Sequence, residues 1–280
     1  MTTQDATFTL PLVDKATGAR AELAPNRGAL VTRFTMGGRE VLFLDEATFR
    51  DPSANVRGGV PVLFPSPGKL KDDGWAREGR QGAMKQHGFA RNLPWEVEGR
   101  SDTSATLRLS ATPATQAQYP WDFEARFTFN VEGNALRIHQ RITNRGDAPM
   151  PFGVGFHPYF QVPQAQKAQV KIPTKATRAF DNRKKQEVAF PGFDLTADEV
   201  DLHLLDHGGA SAELQLPDGR VTVTGSEEYA YWVVWTLKGR DFVCLEPWTC
   251  PGNALNTGER LLHLKPGETR ALWTSIAFTP

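Results

Sequence analysis

The chain reads as all-β, an antiparallel sandwich or barrel-like fold, on three observations. Apolar and polar residues alternate with period two, the alternating runs are short and punctuated by Gly and Pro, and capped helical periodicity is absent. The clearest run sets Phe123, Ala125, Phe127, Phe129 and Val131 against Glu124, Arg126, Thr128 and Asn130, a strand with one wet face. In the next, Leu136, Ile138 and Ile142 alternate with Arg137, His139, Arg141 and Thr143. Glu132-Gly133-Asn134 between them is hairpin chemistry, because Gly and Asn tolerate positive φ. The same pattern predicts strands at Thr7–Leu12, Ala29–Thr35, Trp95–Val97, Ala105–Ala111, Arg220–Thr224, Tyr229–Leu237, Phe242–Glu246 and Thr269–Phe278. Pro65–Gln86 and Gln161–Val200 break the rhythm and read as long structureless connections, hence as functional loops or lids. No repeat, low-complexity tract or Ser/Gly-rich linker divides the chain, so residues 1–280 are expected to form one domain.

Bulk properties exclude several function classes. Lys+Arg and Asp+Glu are equal at 32 each, so no long-range field draws nucleic acid or an anionic membrane, and neither is an expected partner. An anionic substrate would need local arginines. Met1–Val13 has neither a basic start nor an apolar stretch, and no run reaches the roughly 18 apolar residues of a membrane span. A cytoplasmic protein, monomeric or homodimeric, is the expectation. Cys244 and Cys250 are too few for a disulfide framework and their offset fits no paired zinc-ligand spacing, so both read as reduced thiols. His203 and His207 stand four apart with no evident helix and no third ligand, so no metal site is expected.

Four short segments carry chemistry. His157 sits in Gly155-Phe156-His157-Pro158-Tyr159-Phe160, where the proline biases it toward extended backbone and aromatics flank it, as suits the C–H faces of a sugar ring. His87 sits in Gln86-His87-Gly88-Phe89-Ala90-Arg91, where the glycine permits close backbone approach. Glu246 ends the apolar strand before Pro247-Trp248, where partial desolvation raises a carboxylate pKa and makes a better base. Arg57 precedes Gly58-Gly59-Val60-Pro61, with room for a ligand beside a forked donor. Each segment alone is equally open to a plainer reading: a satisfied buried histidine, a structural acid paired with arginine, a turn with a solvated arginine. No Gly-x-Ser-x-Gly, P-loop or dinucleotide fingerprint is present.

Taken in order, Arg57 to Pro65, Gln86 to Asn92, Gly155 to Phe160 and Glu246-Pro247-Trp248 resemble the aldose 1-epimerase superfamily over most of the chain. The resemblance implies a galactose mutarotase-like β-supersandwich, mostly antiparallel, with the site on its concave face. It implies an aldose 1-epimerase (mutarotase) that exchanges the α and β anomers of a hexose without metal or cofactor. It makes Glu246 the general base, His157 the general acid, His87 a second histidine at the ring oxygen and Arg57 a sugar-binding arginine. The family's sugar-binding aspartate falls on Asp201, with Asp194 and Asp206 as competitors. Arg57 with Arg91 also resembles the glucose-6-phosphate 1-epimerase branch, in which such arginines hold phosphate, whereas Phe64-Pro65-Ser66-Pro67-Gly68-Lys69-Leu70 resembles bacterial aldose epimerases. The partner is therefore a sugar or sugar phosphate, with free aldose preferred. Rivals are a non-catalytic sugar-binding regulator on the same fold and a metal-dependent β-barrel isomerase.

Overall fold

The computed structural model describes residues 7–280. Strands hold 47% of the described residues against 10% in helices, which makes the fold all-β. The predicted alternation becomes two large antiparallel sheets. The seven-stranded sheet runs, edge to edge, Ser211–Leu216, Gly219–Gly225, Thr269–Thr279, Ala135–Asn144, Phe123–Glu132, Ser104–Ser110 and Glu96–Arg100. The eight-stranded sheet runs Gln186–Ala189, Arg178–Asp181, Glu199–Leu204, Tyr231–Leu237, Phe242–Trp248, Gly155–Phe156 and Val62–Leu63, with Tyr159–Gln161 also paired to Phe242–Trp248. A four-stranded sheet, from Leu10–Val13 to Arg39–Glu40, shares the same apolar core.

The core forms where the apolar faces of the two large sheets meet. Phe127 from the first touches Phe156 from the second at 6.1 Å between ring centroids, and Phe64 meets Phe123 at 5.1 Å. Burial of these rings removes apolar surface from water at about 25 cal/mol per Å², the main stabilising term. A polar pair buried in this layer is satisfied: Tyr229 Oη donates to Gln140 Oε1 at 3.1 Å. On the second sheet, period two sends Trp232 and Val234 into the core, whereas Tyr231, Val233 and Trp235 lie on the opposite face. That opposite face carries the site.

The structure corrects the sequence reading in several places. Pro65–Gln86 contains a hairpin, Gly74–Arg77 with Arg80–Ala83, and Gln161–Val200 contains another, Arg178–Asp181 with Gln186–Ala189. These are four-residue strands that mix charged, small and apolar side chains, so they lack the sustained apolar alternation that would announce them. The first strand is Leu10–Val13, later than Thr7–Leu12. Ala29 has φ +53° and precedes its strand, Leu30–Met36. The Glu246 strand does not stop at Glu246 but runs through Pro247 to Trp248. Pro247 is tolerated because Tyr159–Gln161 pairs that strand only as far as Cys244, and Gly155 pairs it at Trp248. The reading of Met1–Val13 falls partly on residues 1–6, outside the described residues. No helix among the described residues is long and apolar enough to cross a membrane.

The alternation is testable at one strand. Phe127→Ala should cost about 3–5 kcal/mol through the cavity left between the sheets. Thr128→Ala, next along the strand on the outer face, should cost under about 1 kcal/mol. Urea denaturation of both variants measures the contrast, and similar losses would contradict the assigned faces.

Candidate functional site

On the outward face of the eight-stranded sheet, register alone assembles a row of side chains. Phe180 pairs with His203, His203 with Val233 and Val233 with Glu246 across four adjacent strands. In a parallel row, Asp201 pairs with Trp235, Trp235 with Cys244 and Cys244 with Tyr159. Glu246 is thus placed by strand period, two residues from Cys244 and two from Trp248 on the same face. All of these except the fully buried Cys244, together with His87, His157, Arg57 and Arg91, line a cleft of about 990 Å³.

His157 fills the gap that the register leaves. It follows Gly155–Phe156 and precedes Pro158, so it interrupts the pairing opposite residues 245–247 of the Glu246 strand. Its N–H donates to the Pro61 carbonyl at 3.1 Å, fixing the break, and its ring stacks on Tyr159 at 4.7 Å. Its Nε2 lies 3.3 Å from Glu246 Oε1, while Trp248 Nε1–H donates to Glu246 Oε2 at 3.1 Å. Both partners are deeply buried: Glu246 is 1% exposed and His157 8%. Burial holds the His157 imidazole down from its usual 6.5 to about 3, with the Arg91 guanidinium acting in the same direction. Burial pushes the Glu246 carboxyl well above its ordinary 4.5, and nearby Asp201 adds to this. His157 Nδ1 is buried without a protein partner among the described residues.

His87 is held differently. Gly68 N–H donates to His87 Nδ1 at 3.0 Å, and His87 N–H donates back to the Gly68 carbonyl at 2.8 Å. A backbone N–H can only donate, so Nδ1 is the acceptor and the proton sits on Nε2. Burial and the neighbouring His157 both oppose a second proton, pushing the pKa well below 6.5. His87 is therefore a fixed neutral donor. Gln86 reaches that Nε2 at 3.2 Å with its side-chain amide, and the tautomer requires the amide oxygen to face it. The glycine after His87 is needed as read: at φ +72°, any Cβ on Gly88 would stand 2.3 Å from the Phe64 carbonyl oxygen.

Asp201 and His203 extend the site along the Glu199–Leu204 strand. Asn182 Nδ2 donates to Asp201 Oδ2 at 2.7 Å, His203 Nε2 lies 3.3 Å from Asp201 Oδ1, and Tyr231 Oη meets His203 Nδ1 at 3.1 Å. His203 also stands edge-on to Trp248 at 5.4 Å. Asp194 and Asp206, the competing aspartates, serve local turns instead, Asp194 through Thr196 and Asp206 through Thr177 and Arg178. Arg57 is exposed at the rim, whereas Arg91 is half-buried and donates from Nη2 to the Gln86 carbonyl at 2.9 Å. Neither arginine has an ion-pair partner among the described residues.

All six residues singled out from sequence thus line one cleft, and His203, Tyr231, Trp235, Trp248 and Asn182 are added to them. In the sequence His203 stands out only for its spacing of four from His207. The signal that finds it is strand spacing, two residues after Asp201. Cys244 lies beside His157 and Glu246, buried, and not in a disulfide. A second hollow, lined by Phe8, Pro25, Pro94, Trp95 and Val97, carries one carboxylate, Glu96, which is engaged by Arg108 at 2.5 Å.

Comparison with known proteins agrees with this fold. The aldose 1-epimerase family matches residues 13–277. The Slr1438 protein of Synechocystis sp. PCC 6803 has a similar structure and sequence: 40% identity, TM-score 0.93, covering 97% of this chain and 96% of that one. A galactose mutarotase related enzyme from Lactobacillus acidophilus shares the fold at 22% identity and TM-score 0.77, covering 98% of each chain. A Cenchrus ciliaris protein, whose name proposes glucose-6-phosphate 1-epimerase activity, is 26% identical over 90% of this chain and 80% of its own.

The buried carboxyl has a stability signature. Because folding raises the Glu246 pKa, ionisation favours the unfolded chain as pH climbs through 4.5 and until the folded value is passed. Glu246→Gln should therefore raise Tm by a few degrees at neutral and alkaline pH, with the gain vanishing below pH 4.5. Thermal unfolding across pH checks this. A variant less stable than wild type at neutral pH would show that the carboxylate is well compensated.

Proposed function

Because the chain belongs to the aldose 1-epimerase family, we propose that it is an isomerase that interconverts the α and β anomers of a hexose by opening and reclosing the ring. The observation that carries this reading is the His157–Glu246 contact at 3.3 Å, buried at the floor of an aromatic cleft. Mutarotation needs one base and one acid within reach of two oxygens bonded to the same carbon. Glu246 takes the proton of the anomeric hydroxyl while His157 gives a proton to the ring oxygen, and the C1–O5 bond breaks. Rotation about C1–C2 presents the other carbonyl face, and reclosure returns both protons.

The pair holds one proton throughout. The ring form meets carboxylate and imidazolium; the open aldehyde meets carboxylic acid and neutral imidazole. With burial lowering the imidazole and raising the carboxyl, the free protein favours the second arrangement. Each turnover moves this proton back and forth with no net exchange with solvent. His87, held as a neutral Nε2–H donor to the Gln86 amide in the free protein, turns that hydrogen to the ring oxygen when sugar is bound and gives up no proton. Asp201, oriented by Asn182 and His203, accepts from sugar hydroxyls. Trp235, Tyr159 and Trp248 offer apolar surface to the ring.

A second reading, a hexose 6-phosphate as substrate, is favoured by one observation. Arg57 and Arg91 line the same cleft with no carboxylate partner among the described residues. Free aldose remains the proposal, and the arginines decide. If phosphate is bound, Arg57→Ala and Arg91→Ala should weaken hexose 6-phosphate by about 10–150-fold, the loss of a charge-assisted contact worth about 1.5–3 kcal/mol. Free hexose should then be nearly unaffected. On the free-aldose reading both ligands lose equally, and the comparison is a direct binding titration.

The chemistry itself is tested by anomer exchange, followed by NMR or polarimetry on fresh hexose. Glu246→Gln keeps the shape and loses the base, so exchange should fall about 10²–10⁴-fold with binding retained. For wild type, the one-proton pair predicts activity sustained from weakly acidic to neutral pH. An alkaline fall comes as the shared proton leaves, and an acid fall comes only when a second proton reaches His157, at about 3. Wild type that binds hexose and hexose 6-phosphate yet accelerates neither exchange would favour a sugar-binding regulator.

A further inference from the structure

Cys244 has no part in the steps above, yet it faces the pair that performs them. Period two puts its side chain on the same face as Glu246, and both neighbouring strands cover it, with Trp235 on one side and Tyr159 on the other. Among the described residues, His157, Cys244 and Glu246 form one group in which a ring nitrogen, the thiol sulfur and a carboxylate oxygen all lie within 4.8 Å of one another, each residue buried. We propose that these three residues form a binding site for a thiophilic divalent cation such as zinc, and that cation and sugar exclude each other there.

Geometry and charge both suit such an ion. Zinc binds nitrogen and oxygen at about 2.0–2.2 Å and sulfur at about 2.3 Å, so tetrahedral donors stand roughly 3.3–3.7 Å apart. His157 Nε2 and Glu246 Oε1 already stand at 3.3 Å. The sulfur needs at most a shift of about 1 Å to join them, within the reach of a side-chain adjustment. Three protein ligands leave a fourth position for water, as in other three-ligand zinc sites. A thiolate, a carboxylate and a neutral imidazole around a dication sum to zero charge, the one arrangement in which this buried thiol ionises readily. Without a cation, burial and Glu246 hold the Cys244 thiol well above its usual range. On binding, the sulfur–hydrogen bond is exchanged for a sulfur–metal bond, and the thiol proton and the proton shared by the pair leave to buffer. No electron is transferred.

Exclusion of sugar rests on the reading of His157 and Glu246 as the proton-transfer pair; binding of the cation does not. The test is titration of the full chain with cobalt(II) chloride in the absence of oxygen, followed by absorption. One equivalent should give a thiolate-to-cobalt charge-transfer band with tetrahedral visible bands, and zinc should displace it. Cys244→Ser and Cys244→Ala should lose the charge-transfer band and weaken cobalt binding by about 100-fold or more, while Cys250→Ser keeps both. In the exchange assay, zinc should inhibit wild type competitively with hexose and spare Cys244→Ser, whose basal exchange persists. Absence of the band in wild type, or its survival in both folded Cys244 variants, would overturn the proposal. A band in a wild type that never accelerates exchange would leave the cation site standing and remove the epimerase reading instead.

Discussion

Everything in the cleft depends on one buried contact, His157 Nε2 to Glu246 Oε1. A carboxyl and an imidazole at this depth cannot both be charged independently, because desolvation penalises each ion and only their mutual attraction offsets it. They are therefore constrained to share a proton. On the proposed reading, that constraint supplies a base for the anomeric hydroxyl and an acid for the ring oxygen. Neighbouring groups hold both partners in place. Trp248 holds one carboxylate oxygen, Tyr159 lies flat against the imidazole, and the Pro61 carbonyl holds the backbone at the break.

The fold makes this contact by an interruption. Gly155–Phe156 and Tyr159–Gln161 pair with the same strand but leave a gap between them, and His157-Pro158 occupies it. The gap frees a side chain from strand geometry to point across at Glu246, and it also accommodates Pro247, which has no N–H to offer a ladder. Two prolines and one glycine thus mark one structural device. Opposite it, register on regular strands delivers Asp201, His203 and Cys244 with no special backbone at all.

This contrast explains what was legible in the sequence. The strands with long apolar alternation, such as Phe123–Glu132, could be read because one face is buried and the other wet. The hairpins at Gly74–Arg77 and Arg178–Asp181 could not, because each strand is four residues long and mixes charged and apolar side chains without a sustained alternation. Among site residues, His87, His157, Glu246 and Arg57 stand beside Gly or Pro, which advertise unusual backbone, while Arg91 and Asp201 came through the family resemblance. His203, Tyr231 and Trp235 sit in ordinary strands and carry no local mark. Only the fold reveals that they face the cleft. Glu246 was placed at a strand end because proline follows it, and the gap across from Pro247 is the physical reason that the strand continues.

The most direct test of the shared proton is infrared spectroscopy of the carboxyl C=O stretch, assigned to Glu246 by difference against Glu246→Gln and followed through pH alongside anomer exchange. A protonated carboxyl that persists well above pH 4.5, and disappears on alkaline titration together with exchange, is the predicted result. A Glu246 that ionises at or below 4.5, or an exchange rate indifferent to its titration, would contradict it.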